Sequence, residues 1–186
     1  MLSDVLCKQG ELEKAEELLH CMASKGLEPN VVTYTTLIDG LCKKGEIEKA
    51  EELLDYMVSK GLRPNILTYT TFIHGLCKKG LLNKANQMVQ CMISKGLEPN
   101  VVTYSAVMDM LCKNGETEKA EELLDHMVSK GLQPDIVSYN ILIDGLCKKG
   151  LLDKANQMLQ CMISKGLEPN VITYSALRCT VQTRRN

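Results

Sequence analysis

VVTYTTLIDGLCKKGEIEKAEELLDYMVSKGLRPN, residues 31–65, returns in altered form at 66–100, 101–135 and 136–170. Within it, Tyr34, Leu37, Ile38, Leu41 and Cys42 fall at the i, i+3, i+4, i+7, i+8 spacing of one helical face. Lys43 and Lys44 stand where the last turn would be, the place the helix dipole favours for cations. Gly45 then supplies a left-handed stop. A second helix follows, expected to bury Ile47, Ala50, Leu53, Leu54, Met57 and Val58. Pro64 forbids its continuation, and Asn65 can cap the next helix with its side-chain oxygen.

The same punctuation recurs as GLEPN at 26–30, GLRPN at 61–65, GLEPN at 96–100, GLQPD at 131–135 and GLEPN at 166–170, and holds all five prolines. Four complete units result, with a partial unit at 1–30 before them and another at 171–186 after. Ala15, Ala50, Ala85, Ala120 and Ala155 recur where paired helices must approach closely. One helix pair cannot bury both its faces, whereas stacked copies can, so the expected fold is an all-α solenoid of helix-turn-helix repeats. A 70-residue superperiod lies on top: residues 76–100 and 146–170 differ at two positions only, Asn83/Asp153 and Val89/Leu159. Such alternation points to tandem duplication.

Composition narrows the function. The 186 residues carry a formal net charge of −1, 4% aromatics and no Trp. No apolar run is long enough to span a bilayer, so no membrane partner is expected. The opening residues include Asp4, Glu11 and Glu13 and lack the Arg-rich, acid-poor character of a transit peptide. Cys7, Cys42, Cys77, Cys112 and Cys147 recur every 35 residues and Cys21, Cys91 and Cys161 every 70, with Cys179 outside both series and no CxxC pair. Thiols one helix pair apart sit roughly 10 Å from each other, too far to share a zinc ion. Buried reduced thiols, with no metal and no cofactor, are therefore expected.

Helical hairpin repeats of this length are of tetratricopeptide or pentatricopeptide type. The former run 34 residues and place aromatics at several packing positions. Here the only regular aromatic is the column Tyr34, Tyr69, Tyr104, Tyr139 and Tyr174. The unit above, and IVSYNILIDGLCKKGLLDKANQMLQCMISKGLEPN at 136–170, resemble the pentatricopeptide-repeat (PPR) consensus almost throughout, and the LIDGLCKKG segment is similar to the plant fertility-restorer subgroup. That resemblance implies a right-handed superhelix and sequence-specific binding of single-stranded RNA, one base per repeat. It implies that the fifth and last residues of a repeat read the base: Thr35 with Asn65, Thr70 with Asn100, Ser105 with Asp135, and Asn140 with Asn170. Asn30 and Ser175 would serve likewise, without a partner in this sequence. It assigns the clamping of base faces to Val32, Leu67, Val102, Val137 and Ile172, and phosphate contact to Lys43, Lys78, Lys113 and Lys148. The implied target is 5′-AAGC-3′, with U second at the last base. The implied setting is organelle RNA processing, stability or translation, in the mitochondrion or alternatively the chloroplast.

Other readings compete. Thr, Ser and Asn near helix starts are also caps and turn formers, and late-helix lysines also answer the dipole. The Tyr column lies on the apolar face and reads as packing, while His20, His74 and His126 share no spacing and read as surface residues. A net charge near zero disfavours nucleic acid. However, acids crowd the second helices (Glu46, Glu48, Glu51, Glu52, Asp55) and lysines gather at the ends of the first, which would make a first-helix groove positive. The competing function is a peptide-binding solenoid of tetratricopeptide type. Single-stranded DNA is a further candidate ligand. No catalytic constellation is visible, so an enzyme is not expected. Leu2, Val5 and Leu6 at one end, and Val171, Tyr174 and Leu177 at the other, lack the polar dress of capping repeats. End-to-end association is expected from them.

Overall fold

A computed structural model describes Ser24 and residues 26–183, with side chains to residue 178. The partial repeat at 1–30 lies outside it up to residue 23, as do Leu2, Val5, Leu6, Cys7, Cys21, Ala15 and His20. The described residues form helices only. The described residues fall into two compact units, one ending at Pro99 and the other beginning at Asn100. The first holds α1 (Val31–Lys44), α2 (Ile47–Ser59), α3 (Ile66–Lys78) and α4 (Leu82–Ser94). The second holds α5 (Val101–Lys113), α6 (Thr117–Ser129), α7 (Ile136–Lys148), α8 (Leu152–Ser164) and α9 (Val171–Thr183). Each unit is a stack of helix-turn-helix repeats, with α1 against α2 and α3 in one, and α5 against α6 and α7, then α7 against α8 and α9, in the other.

The stops and starts follow the residues that demand them. Gly45 sits at φ 81°, in the left-handed region, so that its N–H reaches Cys42 O (3.1 Å) and the Glu46 N–H reaches Leu41 O (2.9 Å). At each first-helix start an extended Asn or Asp turns its side chain onto the free N–H groups. The second helices start without a side-chain cap, at Glu46, Leu81, Glu116 and Leu151. They depend on packing instead. Ala50, Ala85, Ala120 and Ala155 are fully buried, as are Met57, Met92, Met127 and Met162. Val58 departs from expectation: it is exposed, like Ile93, Val128 and Ile163 at the same place in their repeats. It lies at the edge of the apolar stripe, past the contact with the first helix.

Within each unit the first helices approach closely at a glycine. A Cβ on Gly75 of α3 would lie 2.4 Å from Cys42 Sγ of α1, and one on Gly145 of α7 would lie 2.7 Å from Cys112 Sγ of α5. Burial pushes the Cys42 and Cys112 thiols up to about 12, with Asp39 and Asp109 adding to the effect. They are packing residues and poor nucleophiles. Cys91 and Cys161 are only half-buried and meet tyrosine hydroxyls, Tyr69 Oη at 4.0 Å and Tyr139 Oη at 3.5 Å. In the alternate repeats the same second-helix place holds Tyr56, whose ring lies 6.3 Å from that of Tyr34, and His126, edge-on to Tyr104 at 5.9 Å. His126 is exposed, as its surface reading expects, and in addition sets its ring against Tyr104. Within each unit a lysine also joins successive second helices: Lys84 to Glu51 at 2.6 Å, and Lys154 to Glu121 at 2.9 Å.

Candidate nucleic-acid interface

The helix starts bring the residues of interest together. Asn65 caps α3, its Oδ1 accepting from the Thr68 backbone N–H at 3.0 Å. Asn100 caps α5 through Thr103 N (2.9 Å), and Asp135 caps α7 through Ser138 N (2.9 Å). Asn30 and Asn170 each take two N–H groups, from Val32 and Thr33 and from Ile172 and Thr173. The cap fixes which side-chain atom faces the helix, because only an oxygen can accept there. The other atom is left over. In Asn30, Asn65, Asn100 and Asn170 it is Nδ2, a donor. In Asp135 it is Oδ2, an acceptor.

Their expected partners are buried in the first turn of the preceding first helix: Thr35, Thr70 and Ser105 at 6% exposure and Asn140 at 8%. Asn140 Nδ2 points at Asn170 Oδ1 from 3.5 Å. Thr35 Oγ1 donates to Val31 O at 2.8 Å and lies 2.8 Å from Thr68 Oγ1. Ser105 Oγ lies 2.9 Å from Ser138 Oγ. Thr70 belongs to the first unit and Asn100 to the second. Ser175, on α9, is exposed.

Beside these polar pairs stand the aliphatic residues expected to clamp a base. Val32, Leu67, Val102, Val137 and Ile172 are 57–67% exposed, at the second residue of their helices. Singly exposed aliphatics are ordinary on a protein surface, but these recur at one place in every repeat. They suit a flat apolar ligand face.

The lysines differ from expectation in one respect. Lys43 is paired with Asp39, Lys113 with Asp109 at 2.5 Å, and Lys148 with Asp144 at 2.5 Å, each four residues along the same helix. The Asp144 carboxylate raises the Lys148 pKa. The positive field inferred from the lysines alone is therefore partly neutralised. Lys78 has His74 at the corresponding place. Each lysine lies eleven residues along its helix from its aliphatic residue, on the same face and roughly 16 Å away along the axis. Two sets of residues escaped the sequence reading. One is the aspartates four residues before three of the lysines, which an i, i+4 scan would have found. The other is the hydroxyls at the third residue of each repeat, Thr33, Thr68, Thr103, Ser138 and Thr173, whose regular recurrence was the available signal.

Comparison with known proteins agrees with this architecture. The PPR repeat family matches residues 4–43, 29–78, 64–113, 99–148 and 134–178. Among solved structures, the pentatricopeptide repeat protein PPR10 in complex with an 18-nt psaJ RNA element is 26% identical at a TM-score of 0.71, over 95% of this chain and 31% of that one. PPR10 from maize is 26% identical at a TM-score of 0.68, over 99% and 32%. The PPR domain of Arabidopsis thaliana protein-only RNase P 1 in complex with tRNA is 20% identical at a TM-score of 0.75, over 97% and 95%, a likeness of fold. The chain thus spans about a third of the PPR10 length. No curated protein matches it. Five family matches from residue 4 to residue 178, on a stack of capped helical hairpins, establish that the chain belongs to the PPR repeat family.

Proposed function

We propose that this chain binds single-stranded RNA and reads one base per complete repeat, with 5′-AAGC-3′ as its target and U second at the last base. The observation that carries the reading is the atom left over at each cap. Asn65 offers an Nδ2 donor while the Thr35 proton is directed to Val31 O, leaving Thr35 an acceptor. A donor beside an acceptor matches the N1 and N6–H2 of adenine. Asp135 offers Oδ2 and Ser105 its lone pairs, two acceptors for the N1–H and N2–H2 of guanine. Asn140 and Asn170 each offer Nδ2, two donors for the N3 and O2 of cytosine. Thr70 and Asn100 repeat the residue types of the first pair and take adenine. The exposed aliphatics receive the base faces, and the RNA complexes of PPR10 and of the RNase P PPR domain support RNA as the ligand.

Titration of labelled RNA containing AAGC, against variants changed at one base each, tests the reading. The AAGC strand is expected to bind tightest, and Asp135→Asn to move the third preference from G to A. Equal affinities would sink it. Single-stranded DNA of the same sequence, included in the series, measures the contribution of the 2′-hydroxyl. The organelle setting, mitochondrion before chloroplast, rests on the fertility-restorer resemblance and is tested by localising the tagged gene product in plant cells. Self-association is proposed for one end: Tyr174 on α9 is 53% exposed, whereas Tyr34, Tyr69, Tyr104 and Tyr139 are all buried. Light scattering at rising concentration is expected to show mass growth that Tyr174→Ser reduces. A monomeric mass throughout overturns it.

A further inference from the structure

Beneath the reading pairs lies a third side chain, the buried hydroxyl of the following repeat: Thr68, Ser138 and Thr173, all at 0% exposure. Each touches both members of the pair. Ser138 Oγ is 2.9 Å from Asp135 Oδ1 and 2.9 Å from Ser105 Oγ. Thr68 Oγ1 is 3.1 Å from Asn65 Oδ1 and 2.8 Å from Thr35 Oγ1. Thr173 Oγ1 is 2.7 Å from Asn140 Oδ1 and 3.3 Å from Asn170 Oδ1.

A hydroxyl has one proton to give. Where Ser138 gives it is decided by charge, because a hydrogen bond to a carboxylate is about twice as strong as one between neutral groups. The Ser138 proton goes to Asp135 Oδ1. Ser138 Oγ then accepts from Ser105, which has turned its only proton inward and presents lone pairs outward. At Thr173 the shorter contact takes the proton to Asn140 Oδ1, which leaves Asn140 Nδ2 as the group able to meet a ligand.

We infer that the third residue of each following repeat is a positioning residue that sets the donor–acceptor polarity of the reading pair, so that each site is a triad and Ser138 enforces guanine at the third base. This inference rests on the base-reading function proposed above. It makes the two reading residues interdependent, since the proton given to one is withheld from the other.

The test measures affinity for four RNAs, AA-X-C with X each base, using the full chain and the variants Asp135→Asn, Ser138→Ala, Ser138→Thr and Ser138→Cys. Asp135→Asn examines the base-reading function alone and is expected to exchange G for A. Ser138→Ala keeps the backbone cap on Asp135 but frees the Ser105 proton for the N1 of adenine. The G-over-A preference is expected to fall about tenfold, as for one lost hydrogen-bonding contact, and Ser138→Thr to restore it. Ser138→Cys fills the same buried space with a weak donor and is expected to behave like alanine, which covers the case where alanine fails to fold. If Asp135→Asn shifts the preference while Ser138→Ala and Ser138→Cys weaken all four RNAs in proportion, Ser138 is structural only and the inference is overturned. If Asp135→Asn shifts nothing, the base-reading function itself fails.

Discussion

Asn65 and Asp135 hold the same place in their repeats and present opposite chemistry, a donor in one and an acceptor in the other. Their visibility in the sequence was partial. The resemblance to the PPR consensus named both as base readers, and helix-start rules named Asn65 as a cap, but neither rule says that the cap uses one side-chain atom and leaves the other over. The third-residue hydroxyls stayed hidden because Ser and Thr three residues after a cap also read as ordinary capping partners, and Thr68 does form such a box with Asn65. The aliphatic at the second residue gives the clearest single-residue prediction. Val137 makes little contact within the fold, so Val137→Ser is expected to leave the melting temperature within about 2 °C. RNA affinity should fall about tenfold, by analogy with loss of one base-stacking contact, equally for every base at the site. Calorimetry and RNA titration on the same preparation separate the two effects, and a change in base preference would contradict a clamping role.

At the scale of the element, the helices were legible nearly to the residue, because Gly at φ 81°, Asn at an extended cap and Pro at the junction each leave one conformation open. Which residues faced inward was less legible. Val58 satisfies the helical period as well as Met57 does, yet it is exposed, and only the position of the neighbouring helix separates the two. The contact between successive first helices depends on Gly75. Gly75→Ala would gain helix propensity of about 1 kcal/mol, but its Cβ would meet Cys42 at 2.4 Å, against a sulfur held by the packed core. A net loss of about 1–3 kcal/mol is expected from forced repacking. Cys42→Ala in the same chain should recover part of it. Urea unfolding of the four members of this cycle measures the coupling, and strict additivity would show that the two side chains do not compete.

For the molecule as a whole, charge decides two behaviours. The formal charge of −1 and the aspartates paired with Lys43, Lys113 and Lys148 leave few cations for phosphate, so RNA affinity is expected to depend only weakly on salt. Asp144→Asn frees Lys148. It should tighten binding and steepen the slope of log affinity against log salt by about 0.7, the value for one phosphate on a single strand. An unchanged slope would remove Lys148 from the interface. Sequence counting overstated this field because it saw the lysines and not their partners. Acid acts on the second unit through Glu118, which accepts from Lys149 at 2.8 Å and whose carboxyl the lysine, with help from the backbone, lowers to about 2. A carboxyl lowered in the folded state contributes stability above its ordinary value near 4.5 and loses it as pH falls through about 2. Because the pair is exposed and screened by solvent, Glu118→Gln is expected to unfold at only slightly lower urea than the parent at pH 7 and at the same urea near pH 2. A gap that persists in acid would assign the difference to packing.

The shared cap has a consequence for how such a protein changes its target over generations. Asn and Asp cap a helix about equally well, so exchanging one for the other at the end of a repeat leaves folding almost untouched while it turns the atom left over by the cap from donor to acceptor. One codon step separates the two residues. Under the proposed base-reading function, a lineage built from these repeats can therefore wander through recognition sequences along a path that selection for stability does not obstruct, and duplication of a 70-residue pair carries a ready-made two-letter word with it.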